Sequence, residues 1–293
     1  NYAQLGNGGY GTAGDRSGNI EVNSGGRVIL NRGTADDAYV QVGHGARSAA
    51  GNSTGNIAVH ATNGGSVLIQ GTGTPVTNAT GSRTYGMIGH GGYDANGNHN
   101  GNVSVTADSL VLVQGGETTS SFAMIGHGGN LVDGTVGDGN DIILVQAGTG
   151  VSVLGGAGND SYAMIGMGSL GLTAAGNSFQ SDIVVSTTNG NIILTGGSST
   201  SVDDSWAQIG NGGGQMVSNT QGSIEVRANN GDVILTAGSG QVGTTTQTPN
   251  YVQIGNGGHE NIGNHGATGD VVSVLAQNIV LNGGSTVDEG YAQ

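Results

Sequence analysis

The chain of 293 residues contains no cysteine, so no disulfide can hold the fold together and no thiol can carry redox chemistry. Lysine is absent too. Six arginines stand against 20 acids, giving a net charge of −14, and this excludes nucleic acid as a natural partner because phosphate binding needs a basic surface. An acidic surface without lysine fits a soluble or extracellular protein, or one that gathers divalent cations. Long apolar runs are missing as well: none approaches the roughly 18 residues that would cross a bilayer. Asn1 opens no signal-peptide pattern, so an export signal for a secreted protein is expected outside these residues. No segment carries a helical period or a capped helix start. There are 2 prolines against 62 glycines, and the glycines follow no three-residue period, which rules out collagen and leaves a turn-dense β protein.

What the chain has is repetition. "YAQLGNGG" begins at Tyr2, "YVQVGHGA" at Tyr39, "YGMIGHGG" at Tyr85, "FAMIGHGG" at Phe122, "YAMIGMGS" at Tyr162, "WAQIGNGG" at Trp206 and "YVQIGNGG" at Tyr251, and an eighth copy starts at Tyr291. The anchoring aromatics lie 37, 46, 37, 40, 44, 45 and 40 residues apart, a unit of about 41 residues with loops of variable length. Each unit holds three strand-like runs. The first is the aromatic segment itself. The second alternates apolar and polar residues, as in "GNIEV" from Gly18, "GNVSV" from Gly101 and "GSIEV" from Gly222. The third follows after turn signals such as "NSGG" and "NNGD", as in "VIL" at Val28 and Val233.

Three short strands per unit can bury their apolar faces only by stacking on the neighbouring units. The expected fold is therefore all-β: a parallel β-helix, or β-solenoid, of about seven three-stranded coils forming one domain over residues 1–293, spanning roughly 34 Å at β spacing. A β-propeller is the alternative, since its blades also run to about 40 residues, although a blade normally needs four strands. Two shorter coils per unit would also fit the period. With Ile209, Ile254, Ile88 and Val42 pointing inward, parity turns Tyr2, Tyr39, Tyr85, Phe122, Tyr162, Trp206 and Tyr251 outward as an external ladder. Gln4, Gln41, Met87, Met124, Met164, Gln208 and Gln253 would run beside it. In the third strand the middle residues, Ile29, Leu68, Leu112, Ile193, Ile234 and Val280, should face away from the core and be covered by a loop, a neighbouring fibre or a partner.

Little of this pattern is chemistry-bearing. "GGAGNDSYA" from Gly155 matches the calcium-binding nonapeptide once, with Asp160 as the ligand, but a calcium roll needs consecutive nonapeptides. Acids precede the aromatic in several units, at Asp36, Asp37, Glu117, Asp160, Asp203, Asp204, Asp288 and Glu289. Stacked carboxylates would repel unless a cation intervened, which makes Asp36, Asp37, Asp160, Asp203 and Asp204 candidate calcium ligands; solvated acids in loops are the plainer reading. His44, His90 and His127 share one repeat position with Asn7, Met167, Asn211 and Asn256. No carboxylate or cysteine completes a tetrahedron there, so a turn-lining ladder is expected rather than a metal site. His259, Glu260 and His265 lack the helical spacing of a zinc motif. Glu21, Asp182 and Glu225 stand singly on strands, and no nucleophile elbow or phosphate loop accompanies a strand-to-helix unit, so no catalytic residue is expected.

Strands of the kind "GNIEVNSGGRVILNRG" and "GSIEVRANNGDVILTAG" make nearly the whole chain resemble the repeat regions of filamentous-haemagglutinin-like large exoproteins, bacterial adhesins exported by two-partner secretion. The resemblance implies a right-handed parallel β-helix at the cell surface with a role in adhesion or biofilm. The family's amino-terminal secretion module is not among these residues, the aromatic box is not a feature of the family at large, and no functional residue transfers. The expected function is a non-catalytic segment of an extracellular fibre or adhesin, cut from a longer array, with neighbouring copies or further repeats as partners and no resident cofactor beyond a candidate calcium. The alternatives are a carbohydrate-binding module whose ladder (Tyr39, Tyr85, Phe122, Tyr162, Trp206, Tyr251) stacks on surface glycans, and a polysaccharide-degrading β-helix with a carboxylate pair about 5 to 9.5 Å apart.

Overall fold

Each aromatic segment finds its hydrogen-bonding partner in the next copy of itself. In the computed structural model, which describes residues 1–70, 81–171, 176–198, 205–239, 250–284 and 290–293, the described residues form strands and turns with no helix. All named strands pair in parallel, each with its counterpart one repeat away. The antiparallel blade of a propeller does not occur among the described residues.

Five sheets result. The aromatic sheet has seven strands, from Tyr2–Leu5 through Tyr39–Val42, Tyr85–Ile88 and Phe122–Ile125 to Val252–Ile254. Two further seven-stranded sheets hold the second and third runs, represented by Val103–Ala107 and Leu110–Gln114. The pairing is residue for residue: Val103 sits between Ile57 and Ile143, and Ile193 faces Ile234. A one-residue slip would move every apolar side chain to the other face, so the alternating pattern itself fixes this register.

The two remaining sheets are short and were not expected. One has four strands of three residues, such as Gly91–Tyr93 and Gly128–Asn130; the other has six strands of two to four residues, such as Ser53–Thr54, His99–Asn100 and Asn177–Gln180. Three strands per repeat thus become five. The extra ones carry no apolar alternation, so nothing in their composition marks them as strands.

The main core lies between the aromatic sheet, the two long sheets and the six-stranded sheet. It is a column of Val, Ile and Leu: Val42, Ile88, Ile125, Ile165 and Ile209 from the first, Val59, Val105, Val145 and Val185 from the second, Ile69, Val113, Val153 and Leu194 from the third, with Val136 and Phe179 from the short sheet. Burial alternates along interior strands of the long sheets such as Ile57–Ala61 and Val67–Gln70, as the pleat requires. On the outer face of the third run, Ile29 is 46% and Val280 37% exposed, and Leu68, Leu112, Ile193 and Ile234 are half-buried. No helix is long and apolar enough to cross a membrane.

Candidate functional site

The aromatic column lies on the face of its sheet opposite the main core, as parity requires. Tyr2, Tyr39, Tyr85, Phe122, Tyr162, Trp206, Tyr251 and Tyr291 stack face over face, with ring centroids 4.4 to 5.5 Å apart and planes within 13° of parallel. Each stacked pair in such an array adds about 0.5–1.5 kcal/mol beyond burial.

The outward, ligand-accessible ladder expected from the sequence is nevertheless wrong. Tyr85, Phe122, Tyr162, Trp206 and Tyr251 are 0% exposed and Tyr39 is 3% exposed. No sugar ring can lie on them. They belong to a second apolar cluster with Met87, Met124, Met164, Ala46 and Leu170, separate from the main core and on the opposite face of the same sheet. The physical reason is the small-residue pair that closes every box, Gly-Gly in five copies and Gly45-Ala46 or Gly168-Ser169 in the other two. At Gly92 (φ 140°) the chain doubles back across the ring of Tyr85, and a Cβ there would sit 2.5 Å from the phenol oxygen. Two repeats on from Tyr85, the Tyr162 hydroxyl donates to the carbonyl of Gly129 at 2.5 Å. Burial holds the Tyr85 and Tyr162 phenols well above their ordinary pKa.

From Gln41 to Gln253 the second ladder is also buried. Gln41 Nε2 donates to the carbonyls of Gly89 (2.9 Å) and Gly91 (3.2 Å), and Gln208 Nε2 to those of Gly255 (3.0 Å) and Gly257 (3.1 Å). Glutamine thus clamps the glycine turn of the following repeat. The middle repeats place Met87, Met124 and Met164 there, and the flexible thioethers fill the same space by packing.

The histidine position is a ladder, as expected, and its bonding explains why asparagine alternates with histidine. The backbone N–H of Asn7 donates to Nδ1 of His44 (2.9 Å), that of His44 to Nδ1 of His90 (2.9 Å), and that of His90 to Nδ1 of His127 (2.8 Å). On the other side of each ring, Nε2 meets the carbonyl of Gly18 (2.7 Å), Gly55 (2.9 Å) or Gly101 (2.9 Å). Asn211 makes the same two bonds with its amide: Oδ1 accepts from Met167 N–H (3.0 Å) and Nδ2 donates to the Ser181 carbonyl (2.7 Å). Both residue types offer an acceptor and a donor on opposite edges of a flat group.

The corner before the aromatic keeps one backbone conformation from repeat to repeat. Asp37, Arg83, Ser120 and Asp160 occupy equivalent places two residues before the aromatic, and all have φ between 54° and 62°. Asp and Asn tolerate this left-handed region better than most residues. Asp37 also pairs with Arg47 (2.9 Å) and with Arg83 of the next repeat (2.7 Å), and Asp36 accepts the Ser82 N–H at 2.7 Å. Charge therefore alternates along the row from Asp37 to Arg83. Asp203, Asp204, Asp288 and Glu289 lie outside the described residues. Among the described residues no three His, Asp or Glu side chains converge as a metal site would require; His265 instead meets Thr220 Oγ1 (3.0 Å) through Nδ1 and the Asn261 carbonyl (3.1 Å) through Nε2.

The single strand acids do not converge either. Glu225 pairs with Arg227 of its own strand at 2.6 Å, Glu21 accepts from Asn23 at 2.6 Å, and Asp182 accepts the Ser223 N–H at 2.8 Å. One open cavity of about 550 Å³ lies beside the first repeats, lined by Tyr2, Tyr10, Tyr39, Asp36, Asp37 and Arg47. Arg47 sits over the rings of Tyr10 (5.4 Å) and Tyr93 (5.8 Å). Sequence reading missed this cluster because Tyr10 and Arg47 share no residue type although they share a repeat position. It also missed Arg32, a 5% exposed guanidinium whose Nη1 reaches the Ser121 carbonyl at 3.2 Å and whose pKa burial lowers to about 10. Comparison with protein-family models, with curated proteins and with solved structures gives no match.

Proposed function

We propose that the chain is a segment of a right-handed parallel β-solenoid that serves as a non-catalytic shaft in a bacterial extracellular fibre or surface adhesin, in adhesion or biofilm. The observation that carries this reading is the register: equivalent residues pair one-to-one through seven repeats, and the rings of eight of them form one stack. Uniform stacking of this kind suits a rod whose length scales with repeat number, and it assigns no repeat a special role. The engaged strand acids and the buried aromatics support the same reading. The partners are further repeats or neighbouring copies of the chain, and the proposed location is the cell surface, in keeping with the resemblance to large exoproteins.

The test is direct. The purified chain should appear in electron micrographs as a short rod and release no reducing sugar from a panel of polysaccharides. Displayed on a non-adherent bacterium, it should raise retention on abiotic or cellular surfaces. Turnover of a polysaccharide that is lost on substituting a strand carboxylate such as Asp182→Asn would overturn the proposal in favour of a β-helix enzyme.

A further inference from the structure

We propose that the His44–His90–His127 column is an acid-sensitive clasp that releases the amino-terminal half of the array while the asparagine-clasped repeats nearer the carboxy terminus stay closed. The inference rests on how the rings are held. A carbonyl can only accept, so the contacts to Gly18, Gly55 and Gly101 require a proton on each Nε2, and the backbone N–H donors require a bare Nδ1. Both edges of each neutral ring are thereby committed.

A second proton has only Nδ1 to go to. Once there, it points at a backbone N–H, so the bond between repeats is replaced by two opposed donors. It also creates cations in contact with one another: the His44 and His90 rings are 4.8 Å apart and the His90 and His127 rings 4.5 Å apart. At such separations like charges cost several-fold more inside a protein than in water.

The groups packed around the column do not compensate. Above it stands Asn7 and below it Met167, whose Sδ accepts the His127 N–H at 3.3 Å. Gln41 approaches the His44 carbonyl with its amide. The other titratable groups here are His99, which disfavours a proton on His127, and the more distant Arg16, which disfavours one on His99. His99 is 1% exposed, and neither of its ring nitrogens has a hydrogen-bond partner. Asp141 accepts from the backbone of Gly101, whose carbonyl meets His127, and not from a ring.

The direction of the pH effect follows. Burial holds His90 well below its ordinary pKa and lowers His127 and His99 to about 3. The unfolded chain, with histidines near 6.5, therefore binds more protons than the folded one, and stability contributed here falls as pH drops from about 6.5 towards 3. Asn211 and Asn256 make the same bonds without titrating.

Hydrogen exchange by mass spectrometry on the wild-type chain at pH 7 and at about pH 4.5 tests this. Peptides from residues 39–130 should lose protection in acid well before those from residues 206–258. In the triple variant His44→Asn, His90→Asn and His127→Asn the difference should shrink, with buried His99 left as the remaining titratable group beside the column, and the acid midpoint should fall by about one pH unit. Uniform loss of protection along the wild-type chain, or an unchanged midpoint in a folded triple variant, would overturn the proposal. If the variant does not fold, the regional comparison in the wild type decides alone.

Discussion

Glycine does two different jobs in this chain, and single substitutions separate them. At Gly92 a Cβ would meet the Tyr85 hydroxyl at 2.5 Å and the Ala46 backbone carbon at 3.1 Å, and the backbone is left-handed there with φ 140°. Gly92→Ala should therefore lose stability by about 1–3 kcal/mol through combined strain and overpacking. Gly26, in a turn between two long sheets, has nothing within 4 Å of its would-be Cβ. Gly26→Ala should be within about 0.5 kcal/mol of wild type. Urea melts of the two variants check the pair, and equal costs would show that the doubling-back over the ring is not held by close approach. At the neighbouring aromatic position, Phe122→Ala should cost about 3–5 kcal/mol because a fully buried ring leaves a cavity between two stacked tyrosines. Phe122→Tyr should be far milder, since Tyr162 shows that the site one repeat on gives a hydroxyl a carbonyl partner.

At the scale of the element, what could be read from the sequence was what repeats as apolar alternation. The runs "GNVSV" and "LVLVQ" carry the period of two that becomes Val103–Ala107 and Leu110–Gln114, and the aromatic box becomes a sheet with the inward side correctly assigned. The short strands stayed hidden for a physical reason. Gly91–Tyr93 owes its place to backbone pairing and to what lies beneath it, and the row Arg16, Ser53, His99, Val136, Phe179 and Thr220 shares register without sharing chemistry. The error about the ladder followed from this. A strand with two apolar-compatible faces was given solvent on one side because the segment covering that side is nearly side-chain-free. The recurring small-residue pair six and seven residues after the aromatics, Gly-Gly in five repeats and Gly-Ala or Gly-Ser in two, was the available signal.

The acidic loops belong to the same scale and yield a prediction about cations. The row before the aromatic is left-handed at Asp37, Arg83, Ser120 and Asp160, acids at two of the four places, and at Asp37 the charge is already met by Arg47 and Arg83. Melting temperature should be unchanged between chelator and millimolar calcium, because a ligand that binds only the folded state would raise it. A rise of several degrees with calcium would show that the carboxylates are shared with an ion. Asp37→Asn should cost no more than about 1 kcal/mol, since its ion pairs are partly solvated.

For the whole molecule, the consequence of one-to-one register is that each repeat contacts little besides its two neighbours. Stability then approximates a sum over repeats and the interfaces between them, and it is distributed unevenly along the axis. Interior repeats have an interface on both sides, and their strands alternate between buried and half-buried. The outermost strands do not: Ile279–Asn282 is exposed at all four positions, and Tyr2 and Leu5 are more than half exposed. Native-state hydrogen exchange at neutral pH should therefore be slowest in strands such as Val103–Ala107 and Ile142–Ala147 and fastest in Tyr2–Leu5 and Ile279–Asn282. In the Phe122→Ala variant the added exchange should concentrate in repeats that border Phe122, between Tyr85 and Tyr162, and fade two repeats away. A globular domain with a shared core would instead distribute the loss throughout. Uniform loss in that variant would mean that the two apolar clusters act as one cooperative unit from end to end, and that the array cannot be lengthened or shortened by a repeat without changing the stability of all the others.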